Sequence, residues 1–337
     1  MSPTSLPPNA PMTNGTLSAG HGEADVSSYP SLATFSLQDV CAVLHSQVSS
    51  FLSAAAPDKV TKRTQEQTRI ALDVIEKALQ DYEFDSVSLS YNGGKDCLVL
   101  LILYLTVLHT HFAQPKNRRK DEPEPPPFPK SIPSIYAKPP DPFPAVSSFV
   151  EYSSRLYHLD LTHISTNPGP RKKEKSHSNP PLTAPIQQLS KAIDGTGATT
   201  TTKPIVSFRD AFAIYLSSHP SIKAICVGTR RTDPHGEHLT HFDPTDHNWP
   251  AFMRIHPIID WHLSEIWCFL RSPHLKDPIT GGPLKYCTIY DEGYTSLGGV
   301  NDTLKNPKLK YFDENGKECF RPAFEMTQDE GERLGRE

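Results

Sequence analysis

Three features follow one another along the chain: a short apolar segment, a pair of glycines and a long apolar segment. Val87–Ser90 has the length and composition of a buried strand, and Cys97–Leu108 is almost entirely apolar, which favours a buried helix. Between them, Gly93-Gly94 lets the backbone turn sharply because glycine has no Cβ. Strand, glycine turn and buried helix in this order are typical of an α/β unit, so we expect a sheet flanked by helices.

Further apolar patterns extend this alternation along the chain. Helical spacing of apolar residues predicts helices at Ser36–Ser53, Ile70–Leu79, Phe143–Tyr157, Ser207–Leu216 and His262–Leu270. Short apolar runs predict further strands at Ile132–Ala137, Tyr157–Ile164, Ala224–Val227 and Ile255–Ile259. The alternation predicts an α/β, Rossmann-like fold whose mostly parallel sheet has helices on both faces, preceded by a helical N-terminal segment. From Lys285 onward no period is clear, and an irregular C-terminal extension is expected.

Proline is concentrated in particular segments of the chain. Most of the 33 prolines lie within residues 1–30, 115–144 and 165–204. The first of these segments is also rich in Ser, Ala and Gly and has no apolar period, which predicts a disordered N-terminus over 1–30. The remainder, 31–337, is then predicted to be a single domain with low-complexity insertions at about 115–130 and 165–204.

Charge and cysteine content exclude several classes of protein. Lys and Arg total 34 and Asp and Glu total 38, for a net charge of −4, whereas nucleic-acid binders usually carry a basic excess. The six cysteines are far apart and form no C-x-x-C pair, which favours reduced thiols over a disulfide scaffold or a zinc ribbon. No nucleic-acid partner is therefore expected.

The sequence also predicts the compartment and the assembly state. The first basic residue is Lys59, whereas a secretory or mitochondrial leader needs basic residues near its start. The apolar stretch Cys97–Leu108 is shorter than the roughly 18 residues that a membrane span requires. We expect a cytoplasmic protein without a membrane partner, and a monomer, because no heptad or exposed apolar stripe is visible.

The segment between the first strand and its helix reads Ser90-Tyr-Asn-Gly-Gly-Lys-Asp96. Successive backbone N–H groups in such a turn, together with the positive end of the following helix, form a binding site for phosphates. Lys95 adds positive charge, and Asp96 could cap the helix or reach a metal ion. A tight strand-to-helix turn with an aspartate cap would use the same residues.

This segment resembles the pyrophosphate-binding loop of the ATP pyrophosphatase superfamily, whose pattern is S-G-G-x-D-[ST]. The chain departs from that pattern at Asn92 and at Cys97, which stands where Ser or Thr is usual. The wider sequence is similar to one branch, the eukaryotic, fungal-type FAD synthetases related to phosphoadenylyl-sulfate reductases. Three further motifs support that branch, namely Gly228-Thr-Arg230-Arg-Thr-Asp233-Pro-His-Gly236, Asp246-His-Asn-Trp249-Pro250 and Glu332-Arg333-Leu-Gly-Arg336. The resemblance covers about 60–113, 130–164 and 205–337.

The resemblance implies an FMN adenylyltransferase, which converts ATP and FMN into FAD and diphosphate with Mg²⁺. It also implies an adenine nucleotide α-hydrolase-like core and a C-terminal extension that completes the flavin pocket. In such a reaction the FMN phosphate attacks the α-phosphorus of ATP in line, so no protein nucleophile is required.

The resemblance further assigns roles to individual residues. The expected catalytic residues are Asn92, Asp96, Asp233, Arg333 and Arg336. The expected contacts of ATP and its pyrophosphate are Ser90, Tyr91, Asn92, Gly93, Gly94, Lys95, Asp96, Gly228 and Arg230. The expected contacts of the flavin nucleotide are Asp233, Asp246, Trp249, Arg333 and Arg336. Magnesium prefers oxygen ligands, and the expected carboxylates for it are Asp96 and Asp233.

Other functions fit parts of the sequence. A phosphoadenylyl-sulfate reductase relies on a reactive C-terminal cysteine motif, and Cys319 in Glu-Cys-Phe lacks that setting. A tRNA-modifying enzyme of the same superfamily would carry a basic domain or paired cysteines, and neither is evident. A non-catalytic flavin- or nucleotide-binding protein would retain the same binding residues, and substitution of Asp96 would separate it from an enzyme.

Several single residues also have an ordinary structural explanation. Asp233 before a proline could open a turn, and Trp249 could be a packed surface aromatic. Arg333 and Arg336 lie near the chain end, where disorder is common. A polar loop rather than a metal site is expected for His235, His238 and His241.

Overall fold

The computed structural model describes residues 35–113, 127–167, 206–246 and 248–336. The N-terminal segment 1–30 and most of the insertions expected at 115–130 and 165–204 lie outside these residues. Their predicted disorder and low complexity therefore remain predictions.

The described residues form six α-helices and eight strands. The helices are α1 (Leu37–Ser53), α2 (Lys59–Tyr82), α3 (Lys95–Ala113), α4 (Pro144–Leu156), α5 (Phe208–Ser218) and α6 (Leu263–Leu270). The strands are β1 (Val87–Ser90), β2 (Ile132–Lys138), β3 (Leu159–Ser165), β4 (Ala224–Cys226), β5 (Phe242–Pro244), β6 (Met253–Ile255), β7 (Lys310–Phe312) and β8 (Glu318–Phe320).

Six of the strands form one sheet in the order β3-β2-β1-β4-β6-β5. Its pairings are parallel except at the edge, where β5 runs antiparallel to β6. β1 pairs with β2 on one side and β4 on the other, so the chain builds outward from β1 in both directions. In an open α/β sheet, ligands bind at such a switch point, outside the carboxyl ends of the strands.

Alternation along the strands divides the interior between the two faces of the sheet. Val87 and Leu89 of β1 lie in the large core formed with α1, α2, α3 and α6. Ser88, between them, bonds to the Tyr215 hydroxyl of α5 at 2.8 Å, on the opposite face. Ile135 and Ile225 of the neighbouring strands pack in the same smaller core as α5. Helices on both faces of a mostly parallel sheet confirm the predicted fold class.

Helix α3 is the central helix of the larger core. By length and composition its window Lys95–Phe112 could cross a membrane, with a mean hydropathy of 1.4, but 67% of that window is buried inside the protein. Leu98–Leu105 is buried throughout. A helix that is apolar on all sides is expected where other elements surround it. Here α1, α2 and α6 pack against α3, and Val87 and Leu89 of β1 belong to the same core.

Most predicted elements are present, and their caps explain where helices begin. Ser36 and Ser207 each accept a hydrogen bond from the backbone N–H three residues on, as expected for N-caps of α1 and α5.

The strand predicted at Ile255–Ile259 is wrong in its extent, because β6 ends at Ile255 and residues 257–260 form turns after Pro257. The edge strand β5 and the hairpin β7–β8 were not predicted, because three-residue strands have no measurable period.

Candidate active site

A cleft of about 140 Å³ lies at the carboxyl ends of β1 and β4, at the switch point of the sheet. The residues that line it are Asn92, Gly94, Lys95, Asp96, Cys97, Gly228, Asp233, Tyr290, Ser296, Leu297, Glu332 and Arg333. They come from the turn between β1 and α3, the loop after β4 and the C-terminal region. Three parts of the chain that are distant in sequence therefore meet at one point.

The turn between β1 and α3 requires its first glycine. Gly93 has a φ of +74°, and a Cβ at this position would lie 2.7 Å from Val150 Cγ2 of α4. Asn92 Oδ1 accepts a hydrogen bond from the Gly94 N–H at 2.9 Å and closes the turn locally. Helix α3 then begins at Lys95, so its N-terminal turn lies against the cleft. The positive end of the helix dipole at this first turn favours a bound anion.

A network of buried charges lies beneath the cleft. Lys95 and Arg230 have side chains that are only 2% and 1% exposed. Lys95 Nζ pairs with Asp96 Oδ2 at 2.9 Å and with Glu332 Oε1 at 2.5 Å. Arg230 contacts Asp96 Oδ1 at 2.9 Å and Asp329 Oδ1 at 3.1 Å, and its Nη2 pairs with Glu332 Oε2. Both cations are thus neutralised inside the protein.

The network shifts the pKa values of its carboxylates in opposite directions. Burial alone would raise the pKa of Asp96, but the charges of Arg230 and Lys95 outweigh burial and lower that pKa. Asp233 shows the reverse: burial, and then the neighbouring Asp96 carboxylate, raise its pKa. Burial also opposes the charge on Lys95, yet Asp96 and Glu332 raise its pKa. The cleft therefore holds two neighbouring aspartates, of which Asp96 has a lowered pKa and Asp233 a raised one.

Two observations bear on whether the cleft could hold a metal ion. Asp96 Oδ1 is buried and, among the described residues, has no partner in hydrogen-bond geometry, although Arg230 lies close to it. Within the described ranges no group of three or more His, Cys, Asp or Glu side chains is placed to hold a metal ion. Protein groups alone would thus supply at most a partial ligand set at Asp96 and Asp233.

The C-terminal segment that carries the two expected arginines is packed against the body of the protein. The Leu304 N–H donates to the Gly335 carbonyl at 2.7 Å, and Thr303 pairs with Arg336 as an antiparallel bridge. Arg333 Nη1 lies 3.4 Å from Asp233 Oδ1 at the mouth of the cleft, with 44% of its side chain exposed. The segment is ordered, and Arg333 is accessible to a ligand.

Arg336 is held by a neighbouring pair of glycines. Its Nη1 donates to the Leu297 carbonyl, and its Nη2 lies 3.8 Å from Asp302 Oδ1. A Cβ on Gly298 would lie 2.4 Å from the Arg336 guanidinium carbon, and one on Gly299 would lie 2.1 Å from Asp141 Oδ1. Gly298 therefore leaves the space that the Arg336 side chain occupies, and Gly299 leaves space for Asp141.

Not every residue expected at the site lines the cleft. Tyr91 points into the core, where its hydroxyl donates to Ser153 Oγ at 2.8 Å, because side chains alternate along the continuing strand direction. Ser90 is the last residue of β1, and Gly93 packs against α4. Asp246 is exposed on a loop, and Trp249 contacts Phe212 of α5 with ring centroids 5.9 Å apart. The residues brought together are Asn92, Gly94, Lys95, Asp96, Gly228, Asp233 and Arg333.

Sequence reasoning missed Tyr290 and assigned no role to Glu332. The Tyr290 hydroxyl accepts a hydrogen bond from the Lys95 N–H at 3.0 Å, across 195 residues of sequence. Trp267 of α6 packs edge-on against its ring, with centroids 5.4 Å apart. Tyr290 lies in the region without a clear period, so nothing local indicated its place at the site. Glu332 had a signal, since it begins the C-terminal motif.

Comparison with known proteins gives consistent matches. The phosphoadenosine phosphosulfate reductase domain family matches residues 86–305. A probable FAD synthase of Schizosaccharomyces pombe is 32% identical over 293 residues, which cover 87% of each chain. The flavin adenine dinucleotide synthase of Saccharomyces cerevisiae is 33% identical over 225 residues, covering 66% of this chain and 60% of the yeast protein.

Solved structures with similar folds include Candida glabrata FMN adenylyltransferase in two ligand states. The complex with FMN and the ATP analogue AMPCPP has a TM-score of 0.67 and 26% identity, covering 90% of this chain and 97% of that one. The complex with FAD and inorganic pyrophosphate has a TM-score of 0.66 and 26% identity, and the match covers 90% of this chain and 100% of that one. The likeness extends through the N-terminal helices, the sheet and the C-terminal region.

Proposed function

This chain belongs to the phosphoadenosine phosphosulfate reductase domain family, among its FAD synthases, and we propose that it transfers AMP from ATP to FMN. The reaction is that of a nucleotidyltransferase, with ATP and FMN as substrates and FAD and diphosphate as products. The observation that carries the proposal is the cleft at the switch point of the sheet. There the nucleotide loop (Asn92–Asp96, between β1 and α3) meets Asp233 and Arg333. The ligands named for the Candida glabrata structures are the substrates and products of this reaction.

The chemical step needs no protein nucleophile. An oxygen of the FMN phosphate forms a bond to the α-phosphorus of ATP, and the bond from that phosphorus to the β-phosphate oxygen breaks. The electron pair of the broken bond leaves with diphosphate. Cys97 lines the cleft, but burial raises the pKa of its thiol to about 12, so at neutral pH it is a neutral side chain rather than a nucleophile.

Catalysis then consists of positioning two anionic reactants and stabilising charge on the leaving group. The Asn92–Asp96 loop and the first turn of α3 would hold the diphosphate portion of ATP through backbone N–H groups. Arg333 and Arg336 would contact phosphate oxygens, because a guanidinium matches their geometry with paired donors. Arg230 is paired internally, and its role would be to fix Asp96 rather than to bind phosphate directly.

Magnesium fits the pair Asp96 and Asp233. Both are oxygen donors at the cleft, and burial and then the Asp96 charge raise the pKa of Asp233, so a cation held by these carboxylates would relieve their repulsion. Magnesium commonly keeps several waters and binds one or two carboxylates together with substrate phosphates, which suits a partial protein ligand set. When bound, the ion would neutralise charge on the phosphates of ATP.

The flavin end of FMN needs more room than this cleft offers. A cleft of about 140 Å³ is smaller than the roughly 300–1,000 Å³ of most small-molecule sites. Contacts of Asp246 and Trp249 with the flavin remain part of the proposal. An Asp246→Ala variant with a raised KM for FMN and an unchanged KM for ATP would support the assignment, whereas unchanged values for both would contradict it.

A fluorescence assay tests the function. FAD fluoresces less than FMN, so adding ATP and Mg²⁺ to the protein and FMN should lower flavin emission with time. Asp96→Ala should abolish this decrease, and a protein that merely binds nucleotides would produce no FAD in either form. A reductase would need a reactive C-terminal thiol for its activity. Adenylyl transfer needs none, so Cys319→Ser should leave FAD synthesis unchanged.

The location, the assembly state and the lack of nucleic-acid or membrane partners stay predictions. All six cysteines are free thiols, which agrees with the cytoplasmic location that we propose, and cell fractionation would test that location. A monomer without nucleic-acid or membrane partners is proposed, and its mass in solution would test the assembly state.

A further inference from the structure

Glu332 joins three parts of the site. Its side chain is buried, and its two carboxylate oxygens have different partners. Oε1 pairs with Lys95 Nζ at 2.5 Å on the nucleotide loop, and Oε2 pairs with Arg230 Nη2 on the loop after β4. A single carboxylate therefore bridges two buried cations from loops that are far apart in sequence, and Asp96 supplies a second negative charge to both.

The main chain of Glu332 is fixed as well. Its carbonyl accepts hydrogen bonds from Thr295 Oγ1 and, at 3.2 Å, from Asn306 Nδ2, and both donors are buried. Arg333 follows directly and extends to the cleft mouth, 3.4 Å from Asp233. Because the preceding residue is held by both its side chain and its carbonyl, the Arg333 backbone has a defined position.

On the basis of the proposed function, we propose that Glu332 is a positioning residue for adenylyl transfer. By pairing with Lys95 and Arg230 it holds Arg333 in place over the phosphates. Glu332 itself makes no contact with substrate in this role. Its effect on the reaction passes through Arg333, so the two residues should act as one unit.

The alternative to a positioning role is that the ATP phosphates displace the Glu332 carboxylate from Lys95 of the nucleotide loop. The contacts argue against it. Departure of the Glu332 side chain would remove a counter-charge that two buried cations share, and the Glu332 carbonyl is held by Thr295 and Asn306, which keeps this part of the main chain in place. A Glu332 carboxylate that remains in place keeps both of its ion pairs.

A double-mutant cycle separates positioning from general destabilisation. We expect Glu332→Gln to lower kcat by about 100-fold, the effect of misplacing a catalytic group by about 1 Å. In an Arg333→Ala background the same substitution should lower kcat by less than about threefold, because the group that it misplaces is already absent. Equal fold-losses in both backgrounds would overturn the proposal, as would a lower KM for ATP with kcat unchanged, the signature of displacement.

Two further variants keep the cycle interpretable. Glu332→Asp retains the charge but loses one methylene, so a folded protein is expected with an intermediate loss of kcat that also disappears in the Arg333→Ala background. Should Glu332→Gln not fold, this variant decides the question by the same criterion. Glu330→Gln changes an exposed acid two residues earlier and should behave as wild type. FAD formation by the wild-type protein is measured first, so failure of the proposed function is distinguished from failure of the positioning role.

Discussion

At the scale of single residues, the site depends on contacts that allow one side chain and no other. Asp233 combines burial with a neighbouring negative charge, and both raise its pKa. Asp233 Oδ1 lies 3.4 Å from the half-exposed Arg333, and Oδ2 accepts a hydrogen bond from the Arg230 N–H at 2.9 Å, yet the pKa is still raised. The negative charge of Asp233 is therefore better explained by function than by the stability of the unliganded protein.

Asp233→Asn should separate the effect of this residue on function from its effect on stability. We expect loss of at least 100-fold in kcat/KM, together with a Tm at pH 7 equal to or above that of wild type, because the buried charge beside Asp96 is gone. A pKa raised by folding contributes stability below the unfolded pKa, about 3.9 for Asp, and loses it as pH rises through the folded value. The advantage of the variant in Tm should therefore shrink as pH falls toward 4, measured by thermal unfolding. A Tm well below wild type at pH 7 would contradict this account.

Gly298 offers a second test at the same scale. Gly298→Ala places a Cβ 2.4 Å from the Arg336 guanidinium and should displace that side chain, lowering kcat by about tenfold or more. Gly282→Ala is the matched control, because its Cβ would meet only Thr280 Oγ1 at 3.4 Å. Steady-state kinetics with ATP and FMN compares the two variants, and equal activity in both would show that Arg336 has no part in the reaction.

At the scale of elements, the turn between β1 and α3 shows what sequence can predict. Its strand, its glycines and its helix are local features, so periodicity and residue type were sufficient. The partners that complete the turn were not predictable in the same way. Tyr290 and Glu332 lie 195 and 237 residues from Lys95, and only the tertiary fold brings them to it. Short strands without a period, such as β5, β7 and β8, were missed for the related reason that their pairing is non-local.

Gly93→Ala tests this turn as a packed element. The positive φ strains any Cβ, and here the new Cβ would also meet Val150 Cγ2 at 2.7 Å. We expect a loss of about 2–4 kcal/mol in the free energy of unfolding, combining backbone strain and overpacking. Gly281→Ala has a comparable φ of +67° with open space around it, so its loss should be only about 1 kcal/mol. Denaturant unfolding of both variants measures the difference, and equal losses would refute the packing argument.

At the scale of the whole molecule, the catalytic parts and the proline-rich segments are separate. The expected site residues all lie in the described ranges, outside the segments 115–126 and 168–204. Asn167 and Val206 flank the second segment and are joined by two backbone hydrogen bonds of 2.8 and 3.1 Å. A short linker can therefore connect them without disturbing the sheet.

Deleting 115–126 and 168–204, each replaced by a short Gly-Ser linker, should leave kcat and both KM values within about twofold of wild type. The reason is that neither deletion removes a residue of the cleft or of the two cores. Circular dichroism would establish that the shortened protein folds. A folded protein with a large loss of kcat would contradict the prediction that these segments are dispensable for chemistry.

The central claim is that this fold joins AMP from ATP to FMN at the cleft between β1 and β4. The most direct measurement follows the label of ATP marked at its α-phosphorus during incubation with FMN, Mg²⁺ and the purified protein. The label should appear in FAD, with one diphosphate released for each FAD formed, and Asp96→Ala should abolish the transfer. Label that stays in ATP, or that appears in free AMP with FMN unchanged, in the presence of folded wild-type protein would contradict it.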